Sequence, residues 1–200
     1  MTATSFFGLL GCGLLCLALI ATALRLDRFP FRVRYAVAVI AVVALFVPVG
    51  GLPVVAYVRG VTGDLSVPTL ALAASACVSR ITGRSLFAPR ELNALLGLVA
   101  AAALFLYPFA LGFTPFDPYA LGYASLAFTT ILLLVTLAAW RAGMNLVVLI
   151  VVVAAVSYLG GVYESRNLWD YLIDPLVAFY ALIRFGAGAV GRHFLRRRQS

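Results

Sequence analysis

The side chains of this 200-residue chain that could do chemistry concentrate in one stretch, Glu164-Ser-Arg-Asn-Leu-Trp-Asp-Tyr-Leu-Ile-Asp174. Carboxylates grouped this way can act as general bases, hold a hard cation or receive basic groups. At helical spacing Asn167, Asp170, Tyr171 and Asp174 share one face, and Leu168, Trp169, Leu172 and Ile173 share the other. That pattern predicts a short interfacial helix near residues 165–173, its apolar side in lipid or protein. Asp170 and Asp174 stand four apart, where like charges repel, so something must compensate them.

Two readings follow. In the structural one, Arg166 pairs with Asp170 at i, i+4, and Asp174 followed by Pro175 supplies the N-cap and first turn of the last helix. In the functional one, Glu164, Arg166, Asn167, Asp170 and Asp174 join Asp64 and Asp117 as a polar cluster facing a cation, a partner's basic groups or a polar headgroup. Asparagine at 170 and 174 would then leave folding intact and abolish activity or complex recovery. Five of the seven acids belong to this set. Carboxylates alone name no metal, and no metal or cofactor is assigned.

Other candidates are sparser. Arg184 lies about ten residues into the last apolar run, roughly 15 Å down by the helical rise. Ionisable groups at such depth mark function or a buried partner, unless the side chain snorkels to nearby headgroups. Arg184 is therefore a candidate contact for a partner subunit's carboxylate or a lipid phosphate. Arg192, Arg196, Arg197 and Arg198 are expected to anchor on anionic headgroups, at about 1 kcal/mol per basic residue. His193 is the single histidine, which disfavours a Ser–His triad, an HExxH site or a histidine-rich metal cluster. Gly186, Gly188 and Gly191 fit GxGxxG, but a dinucleotide site needs a preceding strand, and this run ends an apolar helix. Cys12, Cys16 and Cys77 sit inside apolar runs with no CxxC spacing, as small packing residues do.

The elements that must position these residues follow from composition. The chain is 64% hydrophobic and 11% charged, whereas soluble domains average about 45–50% apolar and about 25% charged. Runs near 20 apolar residues, the length that crosses about 30 Å of hydrocarbon, recur between short loops. They do not alternate as barrel strands would. The expected fold is an all-α polytopic membrane helix bundle of about seven transmembrane helices, a single integral membrane domain over 1–200. The spans run from about 5 to 24, 35 to 49, 67 to 78, 91 to 106, 119 to 140 and 145 to 159, with the last from 175. Between the second and third lies a loop carrying Arg59 and Asp64. Pro68 fits the first turn of the third span, with Asp64 or Ser66 as cap. Pro89 marks the start of the fourth, which ends at Tyr107-Pro108. Ala73, Ala74, Ala76 and Cys77 on the third span, and Gly8, Cys12 and Cys16 on the first, allow close helix approach, chiefly in internal packing.

Arginine distribution sets the orientation. All 15 basic residues are arginine, within a net charge of +8. With seven spans, Arg25, Arg28, Arg32, Arg34, Arg80, Arg84, Arg90, Arg141 and the four tail arginines share one side with Asp27 and Glu91. The other side holds only Arg59 and Arg166 against five acids. The positive-inside rule then places the N-terminus outside and the C-terminus inside. Ala21-Thr22-Ala23 resembles a signal cleavage site, but arginines follow the apolar run rather than precede it, which favours a retained first helix. Tyrosines and tryptophans near 107–123 and 158–171 suit an outer aromatic belt.

No constellation here specifies a reaction. The sequence points to a non-catalytic subunit or scaffold of a cell-envelope complex in a bacterial inner membrane, contacting lipids and other membrane subunits and no nucleic acid. The alternatives are an enzyme acting on a lipid-linked or envelope substrate through the outer carboxylates, and then a small transporter.

Overall fold

The computed structural model describes residues 3–112 and 116–197, with backbone alone for residue 3 and for 187–197. The chain is all-helical: 76% of residues are helical, in nine α-helices among the described residues. They are α1 (Ala3–Ala23), α2 (Phe31–Phe46), α3 (Val54–Thr62), α4 (Val67–Thr82), α5 (Pro89–Ala110), α6 (Leu126–Arg141), α7 (Asn145–Leu159), α8 (Trp169–Leu172) and α9 (Pro175–Arg197). A two-stranded hairpin, β1 (Pro48–Val49) and β2 (Leu52–Pro53), turns through Gly50-Gly51 after α2.

The seven longer helices alternate in direction. The end of α1 meets the end of α4 through the Asp27–Arg80 ion pair. The starts of α5 and α7 meet where Glu91 Oε1 accepts from the Leu146 N–H at 3.2 Å. The starts of α4 and α9 meet at Asp174. One end of the bundle therefore gathers the arginines of the 25–34, 80–90 and 141 segments, and the other gathers Asp64, Asp117, Glu164, Asp170 and Asp174. Helix starts follow local chemistry: α4 and α5 carry proline in the first turn, and Glu91 faces the positive end of α5.

The main core joins α5, α7, α8 and α9 through Leu96, Val99, Ala103, Val147, Ala154 and Ala181. The face between α1 and α4 is built from small side chains, Ala18 against Ala73 and Cys77, which lets the helices approach closely. Two described helices, 4–23 and Pro89–Ala110, are long and apolar enough to cross a membrane, which points to a membrane protein. Only 28% and 33% of those spans is buried, where a soluble protein's core helix would be mostly covered. Their outward faces carry Leu19 and Leu104, each over half exposed.

Several boundaries differ from the sequence expectation. The stretch bearing Arg59 is a helix, α3, with Val55 buried on its inner side, rather than a loop. The expected span from 119 begins only at Leu126, because residues 119–122 form a separate 3-10 turn and Ala124 takes a positive φ of 56° that no helix continues. Pro108 does not stop α5, which runs on to Ala110. The helix expected near 165–173 is a single turn, Trp169–Leu172, with Trp169 and Tyr171 buried against the protein. The Gly186–Gly191 run is helical backbone inside α9.

Candidate functional site: an acid-lined recess

Irregular backbone must have its polar groups satisfied, and side chains of the 163–174 segment do much of this. Asn167 is fully buried; its Nδ2 donates to the Tyr119 carbonyl at 2.9 Å, and its Oδ1 accepts from the Trp169 N–H at 2.9 Å. Trp169 Nε1 donates to the Pro118 carbonyl at 3.0 Å, and the Leu168 N–H donates to the Gly122 carbonyl at 3.0 Å. Segments 118–122 and 165–170 are thereby clasped. Gly122 is required there, since a Cβ would stand 1.7 Å from Asn167 Oδ1. Tyr171 completes the support: its hydroxyl accepts from the Tyr163 N–H at 3.1 Å and donates to the Ser165 carbonyl at 3.2 Å. The Tyr163 ring stacks on Tyr171 at 4.7 Å, and its hydroxyl donates to the Leu65 carbonyl at 2.6 Å.

Each acid then has a defined place. Asp174 Oδ1 accepts from the Val177 N–H at 2.9 Å, making the expected N-cap of α9. Its Oδ2 accepts from the Ser66 N–H at 2.8 Å and the Thr69 hydroxyl at 2.5 Å, so it also caps α4. One buried carboxylate thus sits on the positive ends of two helices. Asp174 thus carries a structural duty that the sequence expectation for asparagine at 174 did not include. Asp170 accepts from the Tyr119 hydroxyl at 3.0 Å and from the Ser165 hydroxyl. Arg166 does not compensate it as the i, i+4 spacing suggested; Arg166 is exposed and makes no ion pair among the described residues. Asp64 pairs with Arg59 Nε at 2.8 Å, and Glu164 lies 3.8 Å from Arg59 Nη2 while staying 70% exposed. The Arg59–Asp64 pair packs on α1 where Gly8 leaves room, a Cβ there falling 2.3 Å from both partners. Asp117 stands apart, its Oδ1 accepting from the Tyr119 N–H at 2.9 Å.

Asp64, Asp170 and Asp174 consequently border one recess of about 440 Å³, together with Tyr107, Tyr119 and Tyr163. Ligand sites of small molecules start at about 300 Å³. Burial, and then the Asp170 carboxylate, push the Tyr119 phenol well above its ordinary pKa. Burial, and then the charge of Asp64, do the same to Tyr163. Burial also raises Tyr171, against a smaller downward pull from its Tyr163 backbone hydrogen bond. These phenols stay protonated and act as donors. The hydrogen bond to Asp64 raises the pKa of Arg59, keeping it cationic. The wall is thus preorganised and acidic, with Arg59 paired to one of its carboxylates, Asp64.

Among the described residues, no three histidine, cysteine or acidic side chains gather as a metal site. No protein-family model, curated protein or solved structure matches this chain.

The arginines predicted to anchor on headgroups lie partly beyond view: the side chains of Arg192, Arg196 and Arg197, and all of Arg198, fall outside the described residues. Arg184 finds an unforeseen partner, its Nη2 donating to Asn93 Oδ1 at 2.9 Å. Sequence reading also missed Ser66, Thr69, Tyr119 and Tyr163 as the ligands and walls of the acids. Thr69 carried a usable signal, a hydroxyl one turn into a proline-started helix; the long-range tyrosine contacts carried none.

Proposed function

We propose that this chain is a non-catalytic, multi-pass subunit or scaffold of a complex in a bacterial inner membrane, and that its acid-lined recess receives a basic group from a partner protein. The observation that carries this reading is the engagement of Asp64, Asp170 and Asp174 by the chain's own donors. They form a fixed anionic surface rather than a set poised to move protons or attack a substrate. The alternating directions of seven helices and the separation of arginines from acids support seven crossings, N-terminus outside and C-terminus inside. Helices of 15 or 16 residues, near 23 Å, fit with modest local thinning.

The test is co-purification from native membranes in mild detergent, with and without Asp64→Asn and Asp170→Asn. The expected result is a partner that is lost from the double variant while helical content is kept. A wild-type chain that purifies alone, monodisperse and active, overturns the reading. A second reading, an enzyme on a lipid-linked or envelope substrate, draws on the recess volume. It predicts turnover by the isolated chain that the double variant loses.

A further inference from the structure

Arg184 carries an unneutralised charge on an apolar exterior. It is exposed, and its neighbours Ile183 and Phe185 are exposed as well. Its partner Asn93 is an amide, which fixes the guanidinium without cancelling its charge, and no described carboxylate pairs with it. Arg90 lies three residues before Asn93, on the same face of α5, with its Nη2 3.4 Å from the Ala142 carbonyl. Glu91, the acid of that turn, is committed to the start of α7.

The position is equally informative. The Phe185 ring rests 3.5 Å from where a Cβ would stand on Gly97, whereas Arg184 reaches Asn93, one turn nearer the start of α5. The guanidinium is thus drawn toward the arginine-rich end, the direction of snorkelling. Asn93 uses Oδ1 on the arginine, which leaves its Nδ2 free to donate; Arg184 keeps donors at Nε and Nη1. Ile183 and Phe185, which flank Arg184 in sequence, expose apolar surface.

Resting on the reading of this chain as a multi-pass membrane protein, we propose that Arg184 and Asn93 bind the phosphodiester of an anionic phospholipid in the leaflet at the arginine-rich end, with an acyl chain along Ile183. Lipid is favoured over a protein carboxylate because Arg184 and its neighbours Ile183 and Phe185 are exposed on an apolar face, and its guanidinium reaches toward the arginine-rich end. The inference stands whether or not the recess at the opposite end binds a partner.

The test is native mass spectrometry of the full chain in mild detergent, equilibrated with equal amounts of phosphatidylglycerol and phosphatidylcholine. One preferred phosphatidylglycerol adduct is expected. Arg184→Gln and, separately, Asn93→Leu should each lower the preference about five-fold, the effect of roughly 1 kcal/mol for a surface basic residue. Arg184→Lys should keep part of it, and glutamine at 196, 197 and 198 together should leave the adduct in place. Equal adducts in the wild type, an unchanged preference in both Arg184→Gln and Asn93→Leu, or loss caused by the tail variant alone would overturn the proposal. So would a protein whose recovery depends on Arg184 while the lipid preference does not.

Discussion

Replacing Asp174 by alanine orphans three donors at once: the Ser66 N–H, the Thr69 hydroxyl and the Val177 N–H. Ser66 and Thr69 are buried, at 0% and 5% exposure, so water reaches them poorly. A buried donor left without its acceptor costs about 1–3 kcal/mol. The Thr69 hydroxyl can turn to Ser66 Oγ, 3.2 Å away, which recovers part of one loss. Asp174 also borders the recess, so some solvent can reach its site. The expected cost is about 3–5 kcal/mol, a large share of the roughly 5–15 kcal/mol that holds a domain together. Asparagine keeps one acceptor oxygen and must turn its NH2 toward one set of donors, so an intermediate loss of about 1–3 kcal/mol is expected. Equilibrium unfolding in mixed micelles, followed by helical circular dichroism, measures both. An Asp174→Ala cost below about 1 kcal/mol, or asparagine indistinguishable from wild type, would refute the double-cap argument.

Gly122→Ala should cost about 2 kcal/mol or more in the same assay, because its methyl displaces Asn167 and breaks that side chain's two hydrogen bonds. Gly60→Ala, which meets open space inside α3, should instead stabilise by up to about 1 kcal/mol; the same sign for both would contradict the packing described. Alkali should unlatch the acid-rich end. Tyr119, Tyr163 and Tyr171 have raised pKa values, so their contribution is complete below the ordinary phenol value near 10 and is lost as pH rises beyond it. Phenolate absorbance and helical signal, titrated together, should change jointly above that pH. Ionisation of all nine tyrosines with helicity untouched would count against it.

What could be read from the sequence was whatever local chemistry encodes. The limits of α7, Asn145 to Leu159, coincide with an uninterrupted apolar run that ends at Gly160-Gly161. Pro68 and Pro89 gave the starts of α4 and α5, and Asp174-Pro175 gave the cap of α9. Where hydropathy misled, a backbone feature outweighed it. Tyr119-Ala-Leu-Gly122 reads as the start of a span, yet it turns back to hold Asn167 and Leu168. α3 was hidden because nine residues with one arginine look like a loop, although its valines lie at helical spacing. The Asn93 partner of Arg184 lies 91 positions away, and no periodicity encodes such a pairing.

The acids illustrate how a polar cluster in an apolar chain should be weighed. Buried non-helical backbone is tolerated only where its polar groups are satisfied within protein. Residues 160–174 are largely irregular, and Ser165, Asn167, Tyr171 and Asp174 are groups that satisfy that backbone or cap its end. The burial of Asn167, Tyr171 and Asp174 follows from that duty, which also explains why asparagine and aspartate appear in a chain so poor in polar residues. The residues left over after this accounting are the better guide to function. Asp64, paired with Arg59, and Asp170, held by the Tyr119 and Ser165 hydroxyls, keep further acceptor capacity, and both border the recess. A ligand or partner acting on this end should therefore be sensitive to Asp64 and Asp170, whereas Asn167 and Asp174 should register first as folding defects.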